Sequence, residues 1–204
     1  DHRFGSDVLV KLNHLRRRGS HEAVLDPSES GSLAEIRLDS RGRSRYVETE
    51  LTVRYGANDT RQLTLSYVRS RLSANLNAFD LFYGDFRNPI VRPDQYATGA
   101  IDVPNLFLAR GVLTLREKWT LSTLVEIRNG FPYSIINQDQ EYVGVRNTGG
   151  RFPNLYTCDA SMIRTATFLK RHVRFGLRVF HIFNTFSPRD VQRRRDALPT
   201  RSRP

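Results

Sequence analysis

The stretch WTLSTLVEIRNGFPY, residues 119–133, decides the fold. Taken two at a time, Trp119, Leu121, Thr123, Val125 and Ile127 fall on one face, and Thr120, Ser122, Leu124, Glu126 and Arg128 on the other. The first face is apolar and the second mostly polar, which is the period of a half-buried strand. About eleven residues is also the length of a tilted strand that crosses a bilayer, and the Trp at its start is an interfacial residue type. Length and anchor together favour a membrane barrel over a soluble sandwich, and Gly130 and Pro132 end the ladder.

Working outward from this strand, the same alternation predicts others near residues 8–15, 44–55, 62–72, 105–115, 157–169 and 173–184. In the second of these, Val47, Thr49, Leu51, Val53 and Tyr55 oppose Glu48, Glu50, Thr52 and Arg54. Residues 26–32, DPSESGS, read as a turn-rich loop, and SRGRS at 40–44 as an interruption. After that first loop the connections alternate strictly: short at 56–60, long at 73–102, short at 116–118, long at 131–156 and short at 170–172. Outer-membrane barrels have this arrangement, with short turns on one side of the membrane and long loops outside the cell. Tyr55, Trp119, Phe168 and Phe175 lie near the short turns and form a candidate aromatic girdle. The fold expected is all-β, an antiparallel up-and-down meander of about seven strands that makes part of a transmembrane barrel.

Glu48, Glu50, Arg54, Glu126 and Arg128 then face the lumen, where they can form cross-strand ion pairs or meet a plug. One conflict arises on the strand from Thr157. The phase that turns Ala160, Met162 and Phe168 outward also turns Arg164 to lipid, which near the midplane costs about 2–4 kcal/mol and calls for a bulge or another register.

Composition agrees with a barrel. Only 39% of the 204 residues are hydrophobic, and no apolar run approaches the roughly 18 residues of a transmembrane helix. The first residues, DHRFGS, show no export signal, so either the protein is not exported or the sequence starts late. The net charge of +11 is also the mark of a nucleic-acid binder, but it is concentrated in RRR at 16–18 and in five Arg among residues 193–204. No segment alternates aromatic and basic residues on one face as an RNA-binding sheet does, so no nucleic acid is expected. The single Cys158 permits neither an internal disulfide nor a Cys-based zinc site. No Gly-x-Ser-x-Gly elbow occurs, and His14, His21, His172 and His181 lie near arginines or in strand and turn positions. No enzyme, cofactor or metal is expected. The series Asn137, Asp139, Glu141 lacks the spacing of a calcium loop, and Gly149-Gly150 reads as a turn.

Several motifs carry a family resemblance. YVETELTVRY at 46–55, SYVRS at 66–70, RNGFPYS at 128–134, RFP at 151–153, and FN at 183–184 with SPRDVQ at 187–192 resemble the C-terminal barrel of TonB-dependent outer-membrane receptors. The similar branch carries a carboxypeptidase-regulatory-like N-terminal domain. The resemblance covers most of residues 8–192 and implies a bacterial outer-membrane location, with lipid, the remainder of the barrel and a plug domain as partners. It implies TonB contact only through an N-terminal part that lies outside this chain. The family barrel has about twenty-two strands, so residues 1–192 read as the C-terminal part of such a barrel and 193–204 as a basic, disordered tail. The function implied is substrate uptake across the outer membrane, by a fragment not active in isolation. The alternative is a soluble basic β-protein that binds nucleic acid or a small ligand.

The long loop at 131–156 is the candidate for substrate contact. Its Tyr133, Tyr142, Arg146, Asn147, Arg151 and Tyr156 combine aromatic faces with hydrogen-bonding groups. The competing expectation is that these side chains pack the loop against its neighbours.

Overall fold

The computed structural model describes residues 1–30, 33–58, 60–77, 91–115, 118–137, 141–168 and 171–185. All regular structure in it is strand: β1 (His2–Phe4), β2 (Val8–Ser30), β3 (Leu33–Asn58), β4 (Arg61–Ala74), β5 (Ala97–Thr98), β6 (Asn105–Leu115), β7 (Trp119–Arg128), β8 (Pro132–Tyr133), β9 (Gly150–Arg151), β10 (Leu155–Phe168) and β11 (Arg171–Val179). One antiparallel sheet runs in the order β1-β2-β3-β4-β6-β7-β10-β11, with β5 beside β4, and β8 and β9 form a separate ribbon. Every neighbour along this path is the next long strand in sequence, which makes an up-and-down meander.

The structure corrects the sequence reading in several places. The meander has eight strands along its path and the sheet nine, because His2–Phe4 and the short β5 join the seven expected. Residues 26–30 of the expected loop and the expected interruption at 40–44 lie in strand, and residues 31–32 fall outside the described residues: β2 runs 23 residues and β3 runs 26, paired from Val8↔Tyr55 to Ser30↔Leu33. β2 also runs on through the arginines at 16–18, past the end expected near residue 15. Its only irregularity lies between Ser20 and Val24, where His21 takes a φ of 57°. A Cβ on Gly42 would stand 2.4 Å from the Glu22 carbonyl oxygen, so the bulge needs glycine there. β10 begins at Leu155, and the last strand ends at Val179 rather than near 184. The tail at 193–204, the motif at 187–192 and Asp139 lie outside the described residues.

Register assigns the faces. The row Lys11–Thr52–Ser66–Leu108–Glu126–Thr157 is on one side, and the adjacent row Val10–Val53–Leu65–Ala109–Val125–Cys158 is on the other. Glu48, Glu50, Arg54, Glu126 and Arg128 all share the first face, called inward here. The outward face carries Leu12, Leu51, Leu63, Leu113, Ile127, Met162 and Leu177, each at least 36% exposed. Among the described residues only Val24, Ala74 and Val91 are buried hydrophobics. The apolar face is therefore open and is not half of a core.

The sheet is also sheared. The hydrogen-bonded row through Tyr55 contains Val8, Leu63, Gly111, Thr123, Ala160 and Val179. Val8 lies beside its turn, whereas the last pairs before the next three turns, Asn58↔Arg61, Leu115↔Trp119 and Phe168↔Arg171, lie progressively further along. A steady stagger of this kind is what tilted barrel strands require. The aromatics step with it, since Trp119 shares a row with Arg164 and Phe175, while Tyr55 and Phe168 each sit near their own turn. β6 and β7, at eleven and ten residues, match one bilayer crossing; β2 and β3 continue well past it.

Arg164 needs no bulge. The β7–β10 and β10–β11 registers are unshifted through it, and it does point outward. It pairs with Trp119, the first residue of β7, with the guanidinium 5.1 Å from the indole centroid. That is the interfacial end of the strand, where an arginine can reach water and stack on an aromatic ring.

Candidate functional site

Where β6, β7 and β10 leave the sheet on the long-loop side, three asparagines link them. Asn105 Nδ2 donates to Asn129 Oδ1 at 2.6 Å, and Asn129 Nδ2 to Asn154 Oδ1 at 3.1 Å. Asn105 Oδ1 also accepts from Tyr67 at 2.7 Å and Arg69 at 2.8 Å. An amide both donates and accepts, so it can extend the ladder by side chains where the backbone turns away.

Above this line the two long loops form a polar layer. Asn75 is fully buried; its Oδ1 accepts from the Arg43 amide at 2.7 Å, and its Nδ2 donates to the carbonyls of Arg41, at 3.3 Å, and Pro93. Asn77 does the same for Leu25, accepting from its N–H at 3.0 Å and donating to its carbonyl at 2.6 Å, and it reaches the Val91 carbonyl at 2.8 Å. Two asparagines thus fasten the segment after β4 to the extended β2–β3 hairpin. Asn75→Ala would strand buried donors and acceptors and is expected to lower stability by about 2 kcal/mol. A urea titration of the reconstituted protein checks this.

The loop at 131–154 docks beside them. Arg146, 7% exposed, donates to the carbonyls of Ala74 and, at 3.5 Å, Gln95. Asn147 Nδ2 donates to the Thr98 carbonyl at 2.6 Å, and its amide donates to Ser134 Oγ at 2.9 Å. Arg151 pairs with the buried Asp102 carboxylate and donates to the Asp102 carbonyl at 2.8 Å; the other Asp102 oxygen accepts from the Leu72 amide at 2.6 Å. Tyr133 covers Gly149 and Gly150, whose missing Cβ atoms would stand 3.0 Å and 2.7 Å from it, and lies against Phe152 with centroids 5.5 Å apart. Gly149-Gly150 therefore makes room for a ring, and Gly150 opens β9. Tyr142 is bridged to Ile136. Burial pushes its hydroxyl pKa up against the opposing pull of Arg146, and burial lowers Arg146 in turn.

Of the six loop residues singled out, Arg146, Asn147 and Arg151 meet at one seam, Tyr133 and Tyr142 belong to the same loop, and Tyr156 stands apart. Tyr156 pairs with Ile127 on the outward face and is 42% exposed. Asn137 and Glu141 bond to each other, with the Glu141 amide on Asn137 Oδ1 at 2.8 Å. Among the described residues no cluster of His, Cys, Asp and Glu could hold a metal. Asn75, Asn77, Asp102, Asn105 and Asn154 were not among the expected site residues.

On the inward face Glu50 is the acceptor at a hub. It takes hydrogen bonds from Asn13 at 3.1 Å, Thr52 at 2.8 Å and Ser66 at 2.9 Å, across three strands. Arg128 pairs with Glu126 at 3.1 Å and lies over the Phe131 ring at 4.5 Å. Tyr46 donates to Glu48, and Ser122 bonds to Ser161 at 2.6 Å. Arg54 is exposed on the same face.

No family model matches the chain, and no curated protein matches it. Among solved structures, the outer membrane transporter YddB from Escherichia coli matches with a TM-score of 0.66 at 12% identity. The match covers 91% of this chain and 28% of that one, so the chain spans little more than a quarter of the transporter's length. A likeness at this identity concerns the fold: the meander has the architecture of part of an outer membrane transporter.

Proposed function

We propose that this chain is the C-terminal part of a TonB-dependent receptor barrel that takes up a substrate across the bacterial outer membrane. The observation that carries this reading is the open apolar face, from Leu12 through Leu51, Leu63 and Leu113 to Met162 and Leu177. A soluble sheet buries such a face against another layer, whereas a barrel turns it to lipid. The polar inward network around Glu50 and Glu126 suits a lumen filled by a plug. Among the described residues the sheet edge of β2 beyond Val10 and the outer edge of β11 have no partner strand, which suits pairing with further barrel strands. The contrasting shape, a soluble basic β-protein, leaves this apolar surface without a covering layer.

Within that role the loop at 131–154 is the part we assign to substrate contact, with Tyr133, Tyr142, Asn147 and Arg151 as its polar and aromatic groups; burial of Arg146 against the Ala74 carbonyl and the outward position of Tyr156 remove those two from the set. The test of the main reading is flotation. Chain refolded with phospholipid vesicles is expected to float with them and to resist alkaline carbonate, with residues 119–128 protected from protease. A chain that stays in the aqueous fraction as a folded monomer would overturn the reading.

A further inference from the structure

The arginine run at 16–18 has no part in the loop layer or in the inward network, and strand alternation divides it. Arg17 pairs with Tyr46 on the inward face, while Arg16 and Arg18 point outward. Arg18 stands directly opposite Arg45, and Arg16 lies in a row with Val47 and Arg71. One row nearer the apolar belt, Arg69 stands opposite Thr49. Five outward guanidiniums thus occupy three neighbouring strands, about ten residues from the short turns and so at the far edge of the belt. All five are exposed. Arg69 donates to Asn105, and among the described residues none of the five has a carboxylate partner.

From the short turns to this rim, the outward positions of the described strands carry no Asp or Glu; Glu48, Glu50, Glu126 and Asp159 all lie inward. Like charges set directly opposite across a strand pair repel each other, so the Arg18–Arg45 arrangement calls for an external anion. Its place, immediately beyond an apolar surface, is where lipid headgroups lie. Five cations within about 10 Å of sheet width exceed what a single phosphodiester can balance.

On the membrane reading proposed above, we propose that Arg16, Arg18, Arg45, Arg69 and Arg71 form a lipid-facing site for a membrane lipid that carries more than one phosphate, in the leaflet on the long-loop side. The acyl chains lie against Leu12, Leu51, Leu65 and Tyr67, and the phosphates bridge the arginine rows.

The experiment is native mass spectrometry of the chain in zwitterionic detergent micelles, with bisphosphorylated lipid A, its monophosphoryl form and phosphatidylglycerol as probes. The bisphosphorylated lipid is expected to be retained best. The double variant Arg18→Gln/Arg45→Gln should weaken its capture about 30-fold, at about fivefold for each charge near a membrane surface. Arg17→Gln, which removes one charge from the inward face, should change capture less than twofold, where the loss of a single outward charge should weaken it about fivefold; a β-type circular dichroism spectrum qualifies each variant. Equal capture of the two lipid A forms, an unaffected double variant, an equal loss with Arg17→Gln, or displacement by equimolar inorganic phosphate would each overturn the inference. A micelle-bound chain indifferent to phosphate number removes this site alone, whereas a chain that binds no detergent or lipid removes the membrane reading with it.

Discussion

Replacing Asp102 by Ala is expected to detach the loop at 131–154 from the sheet and to cost about 3 kcal/mol. Asp102 is 3% exposed and works in two directions: one carboxylate oxygen accepts from the Leu72 amide at 2.6 Å, and the other holds Arg151. Alanine leaves a buried N–H without an acceptor and an arginine without its anion. Breaking a buried pair from one side costs about 3–5 kcal/mol, and because Arg151 is about one-third exposed, solvent recovers part of its loss. Asp102→Asn keeps an acceptor for Leu72 and should cost about half as much. Urea titration of the reconstituted protein, with trypsin cleavage after Arg151 as the local readout, separates the two. Equal losses for Ala and Asn would mean that the charge contributes nothing, and an unchanged cleavage rate would mean that the loop is held elsewhere.

The strand at 119–128 was legible because its two faces differ in polarity at most steps, Thr123 and Leu124 excepted, and register places those faces as the alternation does. The outer halves of β2 and β3 were not legible. Pro27, Ser28 and Ser30 are turn-formers by composition, yet Pro27 pairs with Ile36 inside a ladder. It can do so because β1 covers only the first few residues of β2, so the missing N–H can face an edge with no described partner strand. Its carbonyl accepts from Arg92 at 3.2 Å. Gly42 likewise looks like a break and instead admits the Glu22 backbone.

The loop layer was hidden for a different reason. Asn77 meets Leu25 and Arg146 meets Ala74 across more than fifty residues of sequence, with backbone carbonyls as the acceptors. A carbonyl has no residue type, so such pairings leave no motif. What the sequence did carry was composition: Asn75, Asn77 and Asn105 lie in or beside the long connection at 73–102 and serve as fasteners. The arginine at 164 shows the converse error, where the face was correct and its depth was not visible.

Val125→Arg and Leu124→Arg, one position apart, are expected to differ by about 2–4 kcal/mol in the stability of the vesicle-inserted chain. Val125 lies mid-strand on the outward face, between Ala109 and Cys158, so an arginine there must be carried into hydrocarbon far from either rim. Leu124 lies on the inward face, already 47% exposed, and pairs with Arg110 and Asp159, so a new guanidinium finds a carboxylate one strand away. Its cost should stay below about 1 kcal/mol, because the added charge repels Arg110 while attracting Asp159. Arg164 is the internal control: it is outward like residue 125 but sits at the Trp119 rim, and its removal by Arg164→Leu should change stability by less than about 1 kcal/mol. Urea titration in phospholipid vesicles gives all three values. If Val125→Arg and Leu124→Arg cost the same, the outward face does not lie in lipid, since the charged neighbours of residue 124 account for less than about 1 kcal/mol of any difference.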